Sequence, residues 1–277
     1  MKKNILAIAL TLWTISAFGQ ITITNATFPA AGDTLRFAID DDPSIDLQSP
    51  GADLTWDFSS LDGPAFERII LDASAGDNSD NYPDANILIG EPPVAETYYQ
   101  TTAAQYLSLG FSGADPLGLG LEVVFKNTPP LIEQASPLNY NAQDISSSSV
   151  FVPYAWDDLP PLITDSIGGN FPLIPDSIAI EVATERTETV DAWGTVDLPI
   201  GDFEVLRVRR QDVTETKVLA YLPILNWTDV TDVLLAANFG EFLGADTTLT
   251  YRFLNDVSKE PIAIITANPS TEAPTNA

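Results

Sequence analysis

The 277-residue chain contains no histidine and no cysteine. Without imidazole there is no Ser-His-Asp relay and no His-ligated zinc, iron or copper centre. Without thiol there is no cysteine nucleophile, no disulfide and no thiolate metal cage. Reactive chemistry is confined to carboxylates, hydroxyls, a few amines and the backbone. Positive charge is also scarce, with 12 Lys and Arg against 39 Asp and Glu and a net charge of −27. Such a chain repels phosphate backbones and anionic lipid surfaces, which disfavours nucleic-acid binding and polybasic membrane docking. The only methionine is Met1, so the core must come from branched aliphatic and aromatic residues. Other motifs are missing as well: the Asp-Thr/Ser-Gly of an aspartic-protease dyad, the Ser-x-x-Lys of a Ser-Lys hydrolase, and a Walker-type phosphate loop.

The first residues carry an export pattern. Lys2 and Lys3 precede an apolar run from Ile5 to Ile15, and Ala17 and Gly19 supply the small residues a signal peptidase reads. The run is too short for a bilayer span, which needs about 20 residues. Residues 1–19 are therefore expected to be a signal peptide, cleaved after Gly19 or Gln20. No cysteine stands at the cut to carry a lipid, and no later stretch is long and apolar enough to span a membrane. The mature protein is expected in the periplasm, on the cell surface or outside the cell. Without Lys2 and Lys3 it has 10 basic residues against 39 acidic ones, a net of −29. Self-repulsion on this scale is relieved either by bound divalent cations or by spreading the acids over a solvated surface.

Hydrophobic residues make up 45% of the chain, more than an acidic disordered protein carries. About 258 residues remain after cleavage, enough for a core that needs no disulfides. The dominant pattern is strand, turn, strand. Period-two alternation marks Ile21–Thr24, Leu35–Ile39 and Asp53–Phe58, and Phe66–Leu71 is a further apolar run. Residues 96–100, 105–111 and 121–125 read as extended. Pro129-Pro130, Pro137 and the serines 146–149 read as irregular connections, and the prolines between 153 and 176 argue against regular structure there. Ser177 to Leu198, a turn at Pro199–Asp202 and Phe203 to Arg210 form the strongest hairpin signal. Residues 248–254 and 261–267 form a second hairpin. Val230, Val233, Leu234 and Ala237 have helical spacing, with Thr228 and Asp229 as caps, which predicts one helix over about 229–238 ending near Gly240. The expected fold is mainly β: antiparallel sheets, as a sandwich or a curved half-barrel-like sheet, with one or two short helices. The expected divisions are a β region over 20–127, a second β-sheet region over 128–267 with the long hairpin at 177–219, and a disordered polar tail over 268–277.

Ile21–Thr24 followed by Phe28-Pro29-Ala30-Ala31-Gly32-Asp33, the stretch Trp56–Leu61, and Trp193–Phe203 resemble β-rich secreted proteins of Gram-negative bacteria that use type IX secretion. That resemblance implies a location and a fold class but no activity. Such cargo carries a C-terminal sorting domain after a linker, and this sequence stops at the linker. The same resemblance implies O-glycan attachment at Asp-Ser/Thr-apolar triplets, here Asp33-Thr34-Leu35, Asp165-Ser166-Ile167 and Asp176-Ser177-Ile178.

Four groups of residues are candidates for function. Asp77, Asp80 and Asp84 lie in the densest run of oxygen donors and suit calcium, although the EF-hand rhythm is missing and a solvated turn is the simpler reading. Asp40-Asp41-Asp42 has the same two readings. Arg207, Arg209 and Arg210 could form an anion site, or they could pair across a hairpin with Glu185, Glu188 or Asp191. Trp56, Trp156, Trp193, Trp227 and Tyr98-Tyr99 could line a sugar-binding surface or fill a core. The expected function is an exported, non-catalytic binding or structural protein of the envelope or surface, with a glycan or an envelope protein as partner and no cofactor unless calcium. The alternatives are a carboxylate-based carbohydrate-active enzyme and a carrier of an apolar ligand.

Overall fold

The computed structural model describes residues 20–92, 94–114, 122–161, 164, 174–236 and 243–277. The leader and the expected helix end near Gly240 lie outside the described residues. The chain is mainly β, as its alternation predicts. One 13-stranded sheet, antiparallel except where one strand joins in parallel, is accompanied by a two-stranded ribbon and does not close into a barrel.

Ile21–Thr24 is not a strand. Only Ile23 makes a bridge, to Leu138, and Thr24 then caps a 3-10 turn over Asn25–Thr27. The ribbon consists of β1 (Thr34–Ala38) and β3 (Ala65–Ile69), paired from Thr34↔Ile69 to Ala38↔Ala65. Between them in sequence runs β2 (Gly51–Asp57), which crosses to the large sheet. After β4 (Leu71–Asp72), the strands β5 (Ile87–Glu91), β6 (Ala95–Thr101), β7 (Gln105–Ala114) and β8 (Glu122–Ala135) follow in antiparallel order. Pro129 and Pro130, expected as a break, lie inside β8. They fall between Lys126↔Gly110 and Leu131↔Ser108, where the register with β7 shifts and no ladder donor is required of them.

β9 (Gln143–Ala155) meets β8 at the single register pair Thr128↔Ser149. Serines 146–149, also expected as a connection, are part of β9. Their hydroxyls alternate between the two faces, with Ser148 buried and Ser147 and Ser149 exposed. The spine is the hairpin of β10 (Ser177–Leu198) and β11 (Gly201–Leu222), 22 residues each, closed by Pro199-Ile200 with Gly201 at φ +128°. β12 (Asn226–Asp229) pairs with the end of β11, and α1 (Thr231–Ala236) follows. The Asp229 carboxylate accepts the Thr231 N–H at 2.9 Å, which is the cap expected from the sequence. β13 (Gly244–Leu254) and β14 (Ala263–Ala267) form the second hairpin.

The tail expected to be disordered is ordered. β15 (Pro274–Asn276) pairs with β14, and Asp40 and Ala277 exchange backbone hydrogen bonds at 2.8 and 2.9 Å. Its polarity does not stop it folding, because its backbone groups complete an existing sheet edge. Among the described residues no helix is long and apolar enough to cross a membrane.

One irregularity decides how the spine is buried. Val190 faces Val208 and Ala192 faces Arg207, leaving Asp191 as an extra residue in a β-bulge. Up to Val190 the even residues of β10 face the side covered by α1 and by β8. From Ala192 onward they face the side covered by Trp56 and Phe58. β2 lies parallel to the outer half of β10, and Phe253 packs edge-on against both Trp56 (5.2 Å) and Phe58 (5.1 Å). This cluster, with Val196, Val205, Leu249 and Ile265, is the largest of the cores.

Candidate functional site

Asp77, Asp80 and Asp84 are all exposed, and the described residues contain no group of three acidic side chains placed to hold a metal ion. The loop is organised by a different acid. Glu96, fully buried on β6, accepts N–H bonds from Asp77 (2.7 Å) and Asn78 (3.0 Å), the Asn78 side-chain amide (3.1 Å) and the Tyr98 hydroxyl (2.8 Å). Burial alone would raise this carboxyl, but the four donors hold it below its ordinary range. The buried Glu96 carboxylate thus organises the loop from inside, and the three aspartates lie on its solvated side. The Asp40–Asp42 run is a turn: Asp40 accepts from the backbone of Asp42 (3.0 Å) and Asp62 (3.2 Å), and Asp41 accepts from Asn276 (3.0 Å).

The three arginines separate onto opposite faces because alternate residues of a strand do. Arg207, fully buried on the Trp56 face, forms a two-pronged pair with Asp191 at 2.8 and 3.1 Å. The bulge is what places Asp191 beside it. Arg207 also donates to the Leu47 and Gln48 carbonyls, and its guanidinium lies 5.5 Å from the Trp56 ring and 5.1 Å from Tyr251. Arg209 pairs with Glu272 of the tail (2.9 Å), not with Glu185. Arg210 pairs with Glu188 at 2.7 Å, as the hairpin register predicts, and also with Glu133 at 2.8 Å.

Glu133 is the hub of a network between the two halves of the sheet. Its carboxylate binds Arg186 (3.1 Å) and Arg210, and its carbonyl accepts from Arg210 and Arg252 (2.7 Å). Arg186 is further held by Asp212 at 2.8 and 2.9 Å. Burial would raise the Glu133 carboxyl, but Arg210, Arg186 and Arg252 overrule it and hold it at about 2. Burial and the neighbouring Arg210 bring Arg252 down to about 10. Close by, burial pushes Glu260 above the usual carboxylate range against the pull of Arg252 and Arg68. The sequence gives no sign of this network, since Glu133 lies 77 positions from Arg210.

A groove of about 720 Å³ opens on the Trp56 face. One wall is the loop 45–50, the floor carries Arg207, Arg209 and Tyr251, and the far wall is Glu272-Ala273-Pro274. The Glu272 carboxylate accepts from Arg209 Nη2 and from the Tyr251 hydroxyl, both at 2.9 Å.

The tryptophans divide between core and surface. Trp56 is fully buried and donates to Leu47, while Trp156 and Trp193 are half-buried against their clusters. Tyr98 is buried and stacks on Tyr82 at 4.3 Å. Trp227 is exposed, at 37%, and meets Phe151 (46% exposed) and Tyr221, each at 5.3 Å. Phe151 is on β9 and Trp227 on β12, three strands apart at about 4.8 Å per step. Ring contact over that span requires the sheet to curl, so this end of the Trp56 face is concave. Ile224 and Leu225 extend the apolar patch at the hairpin tip. Glu181, Lys217 and Asp229 share its face by register.

No family model matches this chain, and no curated protein and no solved structure is similar to it.

Proposed function

We propose that the protein is an exported, non-catalytic binding module of the cell envelope or surface that recognises a glycan. The observation that carries this reading is the exposed Phe151–Trp227–Tyr221 cluster on a curled sheet face. Exposed contiguous apolar surface marks an interaction site on a soluble protein. Aromatic rings ringed by carboxylates and an amine suit a sugar, whose C–H face stacks while its hydroxyls find partners. Export rests on the leader pattern of residues 1–19 and on the resemblance to secreted β-rich proteins.

A glycan array and a hydrolysis screen on the chain lacking residues 1–19 test the proposal. Binding without turnover is expected, with Trp227→Ala weakening it about tenfold or more. Unchanged binding by that variant would remove the cluster from the reading. Turnover of a sugar in the hydrolysis screen would favour the second reading, a carboxylate-based glycosidase, in place of the binding role.

A further inference from the structure

We infer that the groove between the loop 45–50 and the C-terminal segment is a second subsite of the same glycan-binding protein, taking a neutral, hydroxyl-rich ligand. The inference rests on the proposed binding role and extends it to the other end of the hairpin. The groove's volume, about 720 Å³, lies within the range of small-ligand sites. Its walls are built in advance. Trp56 Nε1 holds the Leu47 carbonyl at 2.9 Å, Arg207 holds the Leu47 and Gln48 carbonyls, and the Gln48 N–H binds the Asp46 carboxylate at 2.8 Å. The opposite wall is fixed by Glu272, which keeps a left-handed φ of +57° under the grip of Arg209 and Tyr251. Fixed walls lower the ordering cost of binding.

Charge selects the ligand class. Asp46, Asp191 and Glu272 line the groove against Arg207 and Arg209, and Asp191 and Glu272 are already paired with those arginines. The unpaired charge is therefore that of Asp46, on a chain of net charge −27, and an anionic ligand is disfavoured. The groups left for a ligand are both donors and acceptors. Arg209, which lines the groove on a side chain 30% exposed, commits Nη2 to Glu272 and also meets the Tyr251 hydroxyl, so part of its five-donor guanidinium is available to a ligand. Asp46 accepts the Gln48 N–H through Oδ1, which leaves Oδ2 as an acceptor. Ser49 also lines the groove and is exposed. A vicinal diol satisfies such a set without bringing net charge, and Ile45, Pro50 and Pro274 offer apolar contact to ring C–H groups.

The test measures, by calorimetry on the chain lacking residues 1–19, neutral hexasaccharides of glucose, mannose, xylose and galactose. A glucosamine hexamer and a galacturonate hexamer serve as cationic and anionic counterparts. At least one neutral sugar is expected to bind, and Arg209→Met and the groove-filling Ser49→Trp each to weaken it about tenfold or more. Glu272→Gln, which loosens the far wall but keeps Arg209, is expected to weaken it by a smaller factor, about threefold. Asp46→Asn, which keeps one side-chain oxygen as an acceptor, is expected to weaken neutral sugars by a similarly small factor. Wild-type affinity in both Arg209→Met and Ser49→Trp, with loss in Trp227→Ala, would overturn the groove site and leave the aromatic site standing. Loss in the groove variants with none in Trp227→Ala would do the reverse. Preference for the cationic hexamer with loss in Asp46→Asn, tighter binding of the galacturonate, or equal losses in Glu272→Gln and Arg209→Met would each overturn the groove assignment.

Discussion

Two acidic side chains with no motif around them organise much of the interior. Glu96 gathers four donors and holds the loop at Asp77-Asn78. Glu133 neutralises arginines from β10 and β11 while its carbonyl receives a third from β13. Replacing a buried ion pair by apolar residues is often neutral, but removing one partner leaves uncompensated charge and costs about 3–5 kcal/mol. Glu133→Gln keeps the shape and removes the charge facing Arg186 and Arg210. It is expected to lower unfolding free energy by about that amount in urea titration. A loss under about 1 kcal/mol would mean that Glu188 and Asp212 neutralise the arginines unaided.

Among the strands, β2 is the element whose placement is most demanding. It joins β10 in parallel, and the Leu54 backbone occupies the space where a side chain at Gly194 would stand. The close approach lets Trp56 and Phe58 reach Phe253. Gly194→Ala is expected to push β2 away, destabilise the protein by about 3 kcal/mol and shift Trp fluorescence to the red as Trp56 is wetted. Gly51→Ala, on β2 itself, meets only the Leu54 side chain at 3.5 Å or more and is expected to be tolerated. Similar losses in both variants would place the strain in β2 itself and not in its contact with β10.

The whole molecule carries a net charge of −27, and its stability should follow that charge. Raising sodium chloride from about 0.02 to 0.5 M at pH 7 is expected to raise Tm, because surface repulsion is screened while the interior pairs are not. Acid first helps and then harms. Protonating surface carboxylates towards pH 5 relieves repulsion. Glu133, held at about 2 against an ordinary 4.5, contributes stability that is complete above its unfolded pKa and lost as pH falls through its folded one. Melting curves across pH are therefore expected to peak near pH 5 and to fall steeply only below about pH 3. A Tm that declines steadily from pH 7 to 4 would contradict both parts.

The β character, both C-terminal hairpins and the capped helix are legible in the sequence, because alternation, turn residues and an Asp cap act over a few neighbouring positions. That Arg207 and Arg210 pair with acids across the hairpin follows from the same pattern, although which acid each meets does not. Three features mislead a local reading. Pro129 and Pro130 sit in a register shift, serines 146–149 belong to a strand, and the tail completes a sheet edge. The bulge at Asp191 is hidden most completely, since Val190 and Ala192 continue an even-numbered apolar series while the face they bury changes. Local order along this chain is fixed by its own alternation, turns and caps. Which face of the spine is core, which acid meets which arginine, and where the aromatic cluster and the groove lie depend on the path the backbone takes between distant strands. A pattern of period two repeats identically for every such path, so only the folded chain distinguishes them.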